Sequence, residues 1–186
     1  MVNPRAHNTR LMDGAAAGDD GAFGELARRM QDGLLRFALA HGLAHADAAE
    51  AVQETLLRAW RARGRWRAGA DATAWLYGIA MNVVREFRRQ RGRGAPGGMD
   101  LDALAAGRER DGTDQAELAR LACYLAELPD RQREAVACRY LRQMSVRQTA
   151  AAMGCAEGTV KAAVFAGLRN LRAAMEQQVK TAAGKR

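Results

Sequence analysis

The sequence predicts an all-α protein: two small helical domains joined by a flexible linker. Three observations carry that prediction. Of 186 residues, 48% are hydrophobic but only 5% aromatic, and Ala, Leu, Arg and Glu recur, a balance that favours packed helices over a sheet. Apolar residues return at three- and four-residue spacing along several long segments instead of alternating. Between residues 92 and 113 that periodicity stops, and six glycines and a proline mark a change of composition.

The elements follow in order. A short helix is expected near Asn8–Ala16. A longer one spans Gly21–Ala40, with Phe23, Leu26, Met30, Leu34 and Phe37 on one stripe. Asp19 and Asp20 can cap its start and Gly42 ends it. The next helix covers Asp47–Arg61 and turns Val52, Leu56 and Ala59 toward the core. Residues 62–71, ARGRWRAGAD, form a loop. A helix over Ala72–Arg89 follows, with Leu76, Ile79, Val83 and Phe87 on one side. The second module has a helix to Glu127, a break at Leu128 and Pro129, and a helix to Leu141. Then Ser145 opens a short helix, Gly154 breaks it, and a last helix starts near Glu157. Ser145 and Gln148 can form a capping box. The last helix is expected to bury Val160, Val164, Leu168, Leu171 and Met175. Two helices around a tight glycine turn fit a helix-turn-helix, whose second helix enters the DNA major groove. The domains therefore read 8–92, a linker at 93–113, 114–176, and a basic tail at 177–186.

The placement of charge says more than the net +8. Arg58–Arg93 holds ten arginines against two acids, so the rest of the chain balances to zero. Asp13–Glu54 is acidic, with eight acids against three arginines. A basic block beside an acidic one suits two partners of opposite character, the basic one being a phosphate backbone. Function classes drop out as well. No stretch approaches the ~20 apolar residues of a membrane span, and the N-terminus lacks a signal-peptide core, so a cytoplasmic protein without membrane insertion is expected. No phosphate loop, G-x-S-x-G or H-E-x-x-H motif occurs, so neither enzyme activity nor a cofactor is expected. Cys123, Cys138 and Cys155 form no C-x-x-C pair and read as reduced thiols. His41 and His45 lack a third ligand nearby, so no metal site is expected.

Three faces carry chemical meaning. Glu50, Gln53, Glu54 and Leu57 fall at i, i+3, i+4 and i+7, an acid-and-amide stripe around a leucine. It fits either a dock for a basic helical partner or an ordinary solvated face. The loop interleaves Arg61, Arg63, Arg65 and Arg67 with Trp66, and Asn82, Arg85 and Arg89 share a face of the next helix with Arg88 close by. Guanidinium groups beside an aromatic suit unpaired nucleic acid, although core packing remains the alternative for each tryptophan. On the last helix, Lys161, Ala162, Phe165, Arg169 and Arg172 lie opposite the expected core face. An outward phenylalanine there suits a thymine methyl.

Two segments, DAAEAVQETLLRAWRARGRW and WLYGIAMNVVREFRRQR, resemble region 2 of the extracytoplasmic-function group of bacterial sigma factors. LPDRQREAVACRYL, the following serine and MGCAEGTVKAAVF resemble region 4. The resemblance implies a factor that binds core RNA polymerase through the β′ coiled coil and the β flap, directs it to promoter DNA, and is held by an anti-sigma factor. It also implies a monomer when free. Polymerase binding would fall on Asp47, Glu50, Gln53, Glu54, Leu57 and Arg58. The unpaired −10 strand would meet Arg61, Arg63, Arg65, Trp66, Arg67, Asn82, Arg85, Arg88 and Arg89. The −35 duplex would meet Arg139, Thr159, Lys161, Ala162, Phe165 and Arg169. Relatives often carry arginines where Ala163, Ala166 and Leu168 stand, an acidic pair where Arg147 and Gln148 stand, and an acid at Ala51. Fewer basic residues on the recognition helix imply fewer phosphate contacts and a shallower salt dependence. Two other readings stay open. One is a sigma-like decoy that binds an anti-sigma regulator without initiating transcription. The other is a stand-alone helix-turn-helix regulator, which would need no acidic docking face.

Overall fold

The computed structural model describes residues 4–90, 124–125 and 127–183. The expected linker at 93–113 and the start of the second module lie outside the described residues, as do the side chains of the tail beyond Gln177. Seven α-helices order the remainder: α1 (Pro4–Ala16), α2 (Asp20–Ala40), α3 (His45–Ala62), α4 (Ala72–Gln90), α5 (Asp130–Val136), α6 (Val146–Met153) and α7 (Glu157–Ala183). A 3-10 turn at Arg63–Arg65 follows α3, and α5 runs on into a wider π turn at Ala137–Leu141.

Local chemistry sets the boundaries. The Asp19 carboxylate accepts the Ala22 backbone N–H at 3.0 Å and starts α2. Asp71 does the same for α4 through the Ala74 N–H at 2.8 Å. Ser145 and Gln148 satisfy each other's backbone N–H groups, so the predicted capping box opens α6. Gly154 closes α6 at φ +63°, a left-handed conformation that costs a residue with a Cβ about 1 kcal/mol or more, and the chain reverses there into α7.

α1–α4 pack around Met12, Leu26, Leu34, Phe37, Leu39, Leu76, Met81 and Val83, all buried. Asn8 stitches α1 to its neighbours, with its side-chain amide N–H near Met30 Sδ and Thr73 Oγ1 (both 3.3 Å) and its oxygen accepting Arg29 Nε at 3.2 Å. α5 packs on α7 through a smaller cluster of Leu125, Leu128, Val136 and Leu171.

The two modules do not stand apart. Cys138, Met144, Ala150, Met153 and Val160 join the same apolar cluster as the α2 and α4 residues, and α6 lies against α4. Small side chains allow this: a Cβ placed on Gly78 would stand 3.5 Å from the Ala152 backbone.

Two core faces differ from expectation. On α7 the buried side is Val160, Gly167 and Leu171 flanked by Ala163 and Val164, whereas Leu168 and Met175 are exposed. Gly167 turns the helix this way. A Cβ there would stand 2.8 Å from Val136 Cγ2, so only a glycine lets α7 approach α5 this closely. On α3, Ala48, Ala51, Thr55 and Ala59 occupy the core, and Val52 and Leu56 pack at its margin.

Candidate nucleic-acid interface

The α3 stripe is largely on the surface. Glu50 and Gln53 are exposed, Leu57 is 41% exposed, and Glu54 stands beside them, half-buried. Asp47 departs from the stripe: it is 4% exposed, on the flank of the first turn that packs inward. Arg58 is engaged within the fold. Its guanidinium donates to Glu54 at 2.6 Å and, bidentately, to Glu86 on α4 at 2.9 and 2.7 Å. This clamp ties α3 to α4, holding the Glu86 carboxyl below its usual range through the Arg58 hydrogen bonds.

The last turn of α3, which holds Arg61, and the loop after it carry the first arginine group. Arg61, Arg65 and Arg67 are exposed. Arg63 turns back, stacking 3.6 Å over the Trp60 ring and donating to its carbonyl at 2.9 Å. Trp66 is half-buried, edge-on to Trp75 at 5.3 Å, and its indole N–H donates to Asp13 at 2.7 Å. The tryptophan nominated for the unpaired strand thus has its polar atom and one edge already engaged inside the protein.

The second arginine group lies on α4. Asn82 and Arg89 are exposed, but Arg85 donates to both oxygens of Glu134 on α5 at 2.6 Å each, and Arg88 pairs with Asp130 one turn earlier. Glu134 is buried in this contact, and Asp130 also accepts from Arg133. Further along the seam, Gln148 donates to Asp71 and accepts from Arg5. Arg5 also donates to the carbonyls of Arg142 and Gln143, and Arg142 reaches the Tyr77 hydroxyl at 3.3 Å. His41 sits beneath the seam, its ring on Phe37 and Nδ1 2.7 Å from the Phe37 carbonyl. Burial lowers its pKa to about 3 against the pull of that hydrogen bond, and nearby Arg133 and Arg88 lower it further.

The third face is the open side of α7. Lys161, Ala162, Phe165 and Arg169 are exposed together and Thr159 borders them half-buried, with Phe165 72% exposed. Arg139 stands apart on the π turn, donating to the Met144 carbonyl. Cys138 and Cys155 are free thiols, and burial pushes Cys138 up to about 12. Cys123 lies outside the described residues. Among these residues no group of His, Cys, Asp or Glu could hold a metal ion, and no helix is long and apolar enough to cross a membrane.

Residues 26–94 match sigma-70 region 2, and residues 118–171 match sigma-70 region 4. The RNA polymerase sigma-E factor of Streptomyces antibioticus is 34% identical over 165 residues, covering 87% of this chain and 88% of the relative. The ECF RNA polymerase sigma factor SigM of Mycobacterium tuberculosis is 34% identical over 155 residues, covering 83% and 77%. This chain belongs to the extracytoplasmic-function group of the sigma-70 family. The sigma-factor fold also matches CnrH, solved in complex with the cytosolic domain of CnrY, at a TM-score of 0.74 and 26% identity over 92% of this chain and 98% of that one. As a sigma factor the protein is a transcription initiation factor and not an enzyme.

Sequence reasoning missed the acids that hold the α4 arginines. Asp130 and Glu134 are spaced i, i+4 in DRQRE and therefore share a helix face. That signal was available, but the sequence does not say which basic face they meet 49 residues earlier. Thr9 and Asp13 on α1 were also missed, since neither lies in a motif.

Proposed function

We propose that this sigma factor docks core polymerase through Glu50, Gln53, Glu54 and Leu57 on α3. Its loop arginines and α4 hold the unpaired −10 strand, and the open face of α7 reads the −35 duplex. The open side of α7 carries the reading: a phenylalanine 72% exposed between Lys161, Ala162 and Arg169 has no role in the fold and suits a groove lined by thymine methyls. Two-point recognition needs the modules to separate, because Arg85 and Arg88 are engaged by Glu134 and Asp130. The α7 face carries few cations, so its duplex affinity depends only shallowly on salt. The sigma factor RpoE of Bartonella quintana was solved with the anti-sigma factor NepR, and an anti-sigma partner is proposed for this chain, acting in the cytoplasm.

Run-off transcription with purified core polymerase tests the reading. Promoter-specific transcripts should appear with this protein and not without it. Core binding that yields no transcript from any genomic template would instead support the decoy. Glu54→Arg should weaken core polymerase binding about tenfold, the scale of one reversed charge at a docking face. Because Glu54 also pairs with Arg58, Glu50→Arg should be measured beside it. Unchanged affinity in both variants removes the α3 assignment.

A further inference from the structure

The loop that presents Arg65 and Arg67 is fastened from one side by α1. Thr9 and Asp13 lie one turn apart on the same face of that helix. One Asp13 carboxylate oxygen accepts the Trp66 indole N–H at 2.7 Å and the Gly69 backbone N–H at 3.1 Å. Thr9 Oγ1 donates to the Ala70 carbonyl at 3.1 Å and lies 3.4 Å from the Ala72 backbone N–H. Two side chains thus fix four polar groups between residues 66 and 72. Beyond that point Asp71 caps α4, so the far end of the loop is held as well.

These contacts bear on function because of what they leave free. Arg65 and Arg67 flank Trp66 and are exposed. Long cationic side chains on an untethered loop would lose both backbone and rotamer freedom on gripping a strand. With Trp66 and Gly69 anchored, the backbone share of that cost is met during folding. α1 precedes the segment that matches region 2, which begins at residue 26, so this support comes from outside the matched segment.

We propose that Asp13, assisted by Thr9, is a positioning residue: it holds the 66–70 loop in the shape that aims Arg65 and Arg67 at the unpaired strand. This rests on the reading that the loop takes that strand. The test uses holoenzyme reconstituted from full-length protein and core polymerase. The probe is fluorescein-labelled single-stranded DNA with ten randomised positions. Asp13→Ala should bind it about tenfold more weakly, the scale of losing two hydrogen bonds that order the loop. Asp13→Asn, which keeps an acceptor oxygen in place, should recover binding to within about threefold of the parent. Core polymerase affinity and the helical circular dichroism should not move in either. The Trp66 indole N–H resonance should shift in Asp13→Ala and return toward its parent position in Asp13→Asn. Thr9→Val, which removes the hydroxyl at nearly constant volume, should cost about threefold and decides the matter if Asp13→Ala does not fold. Parental strand binding in the Asp13→Ala protein, with the indole resonance displaced, overturns the proposal. So does a loss that Asp13→Asn fails to recover. The Arg65→Ala/Arg67→Ala pair separates the two layers. If it too binds like the parent, the loop reading has failed; if it alone is weak, only the positioning role has.

Discussion

The two arginine groups expected to meet the same DNA strand have different surroundings in the folded chain. Arg61, on the last turn of α3, and Arg65 and Arg67, on the loop anchored from behind by α1, stand in solvent. Arg85 and Arg88 are committed to Glu134 and Asp130, over a seam that also buries His41 and Arg133. The first group is free to bind, whereas the second would meet DNA only by exchanging one set of anions for another. Sharing a sign and a predicted ligand therefore does not give two sets of residues the same availability. Packing sets that availability, and here the packing comes from the other module.

The largest expected effect comes from pH. Native His41 stays neutral until pH falls to about 3, whereas the unfolded imidazole charges below about 6.5. Between those values the unfolded chain holds the extra proton. The stability associated with the neutral ring is complete above about 6.5 and declines as pH falls, by up to about 1.4 kcal/mol per pH unit. Urea titrations from pH 7 to pH 4 should show that slope in the parent and a flatter one in His41→Leu. Equal slopes would mean that the seam does not bury a neutral imidazole.

Glu134→Gln comes next. It removes the charge that Arg85 holds bidentately and leaves a buried amide in its place, at a cost of about 2 kcal/mol, reduced from the fully buried case because Arg85 is partly solvated. Small-angle scattering should show a larger radius of gyration for the variant. An unchanged radius and an unchanged melting temperature would mean that the apolar part of the seam holds the modules together without this bridge.

The smallest effect belongs to the open group. Arg67→Ala should leave the melting temperature where it is and reduce the salt slope of single-strand binding by about 0.7, the share of one phosphate contact. A slope that does not change would take Arg67 out of the interface.

Much of the fold was legible because long apolar side chains announce it. Leu26, Met30, Leu34 and Phe37 define α2, and Ser145, Gln148 and Gly154 define the helix-turn-helix through caps with specific chemistry. Legibility ended where small residues decide packing. Ala48, Ala51 and Thr55 on α3, and Ala163 and Gly167 on α7, carry little hydropathy, so Val52, Leu56, Leu168 and Met175 drew the expected core faces toward themselves. That Lys161, Ala162, Phe165 and Arg169 stand in solvent on one side of α7 was legible by type and spacing. The engagement of Arg85, Arg88 and Trp66 was not, because each partner lies tens of residues away and is fixed only by the tertiary arrangement.

The contact between Arg5 and Gln148 joins residues 143 positions apart. At ribosomal rates of about 5–20 residues per second, roughly 7–30 seconds separate their synthesis. α1 can settle on α2 early in that interval, but the bonds from Arg5 to Arg142, Gln143 and Gln148 wait for the last third of the chain. A nascent chain stalled before residue 142 would lack three acceptors of Arg5, the carbonyls of Arg142 and Gln143 and the Gln148 side chain, so a ribosome-bound intermediate should differ from the released protein in the accessibility of that guanidinium.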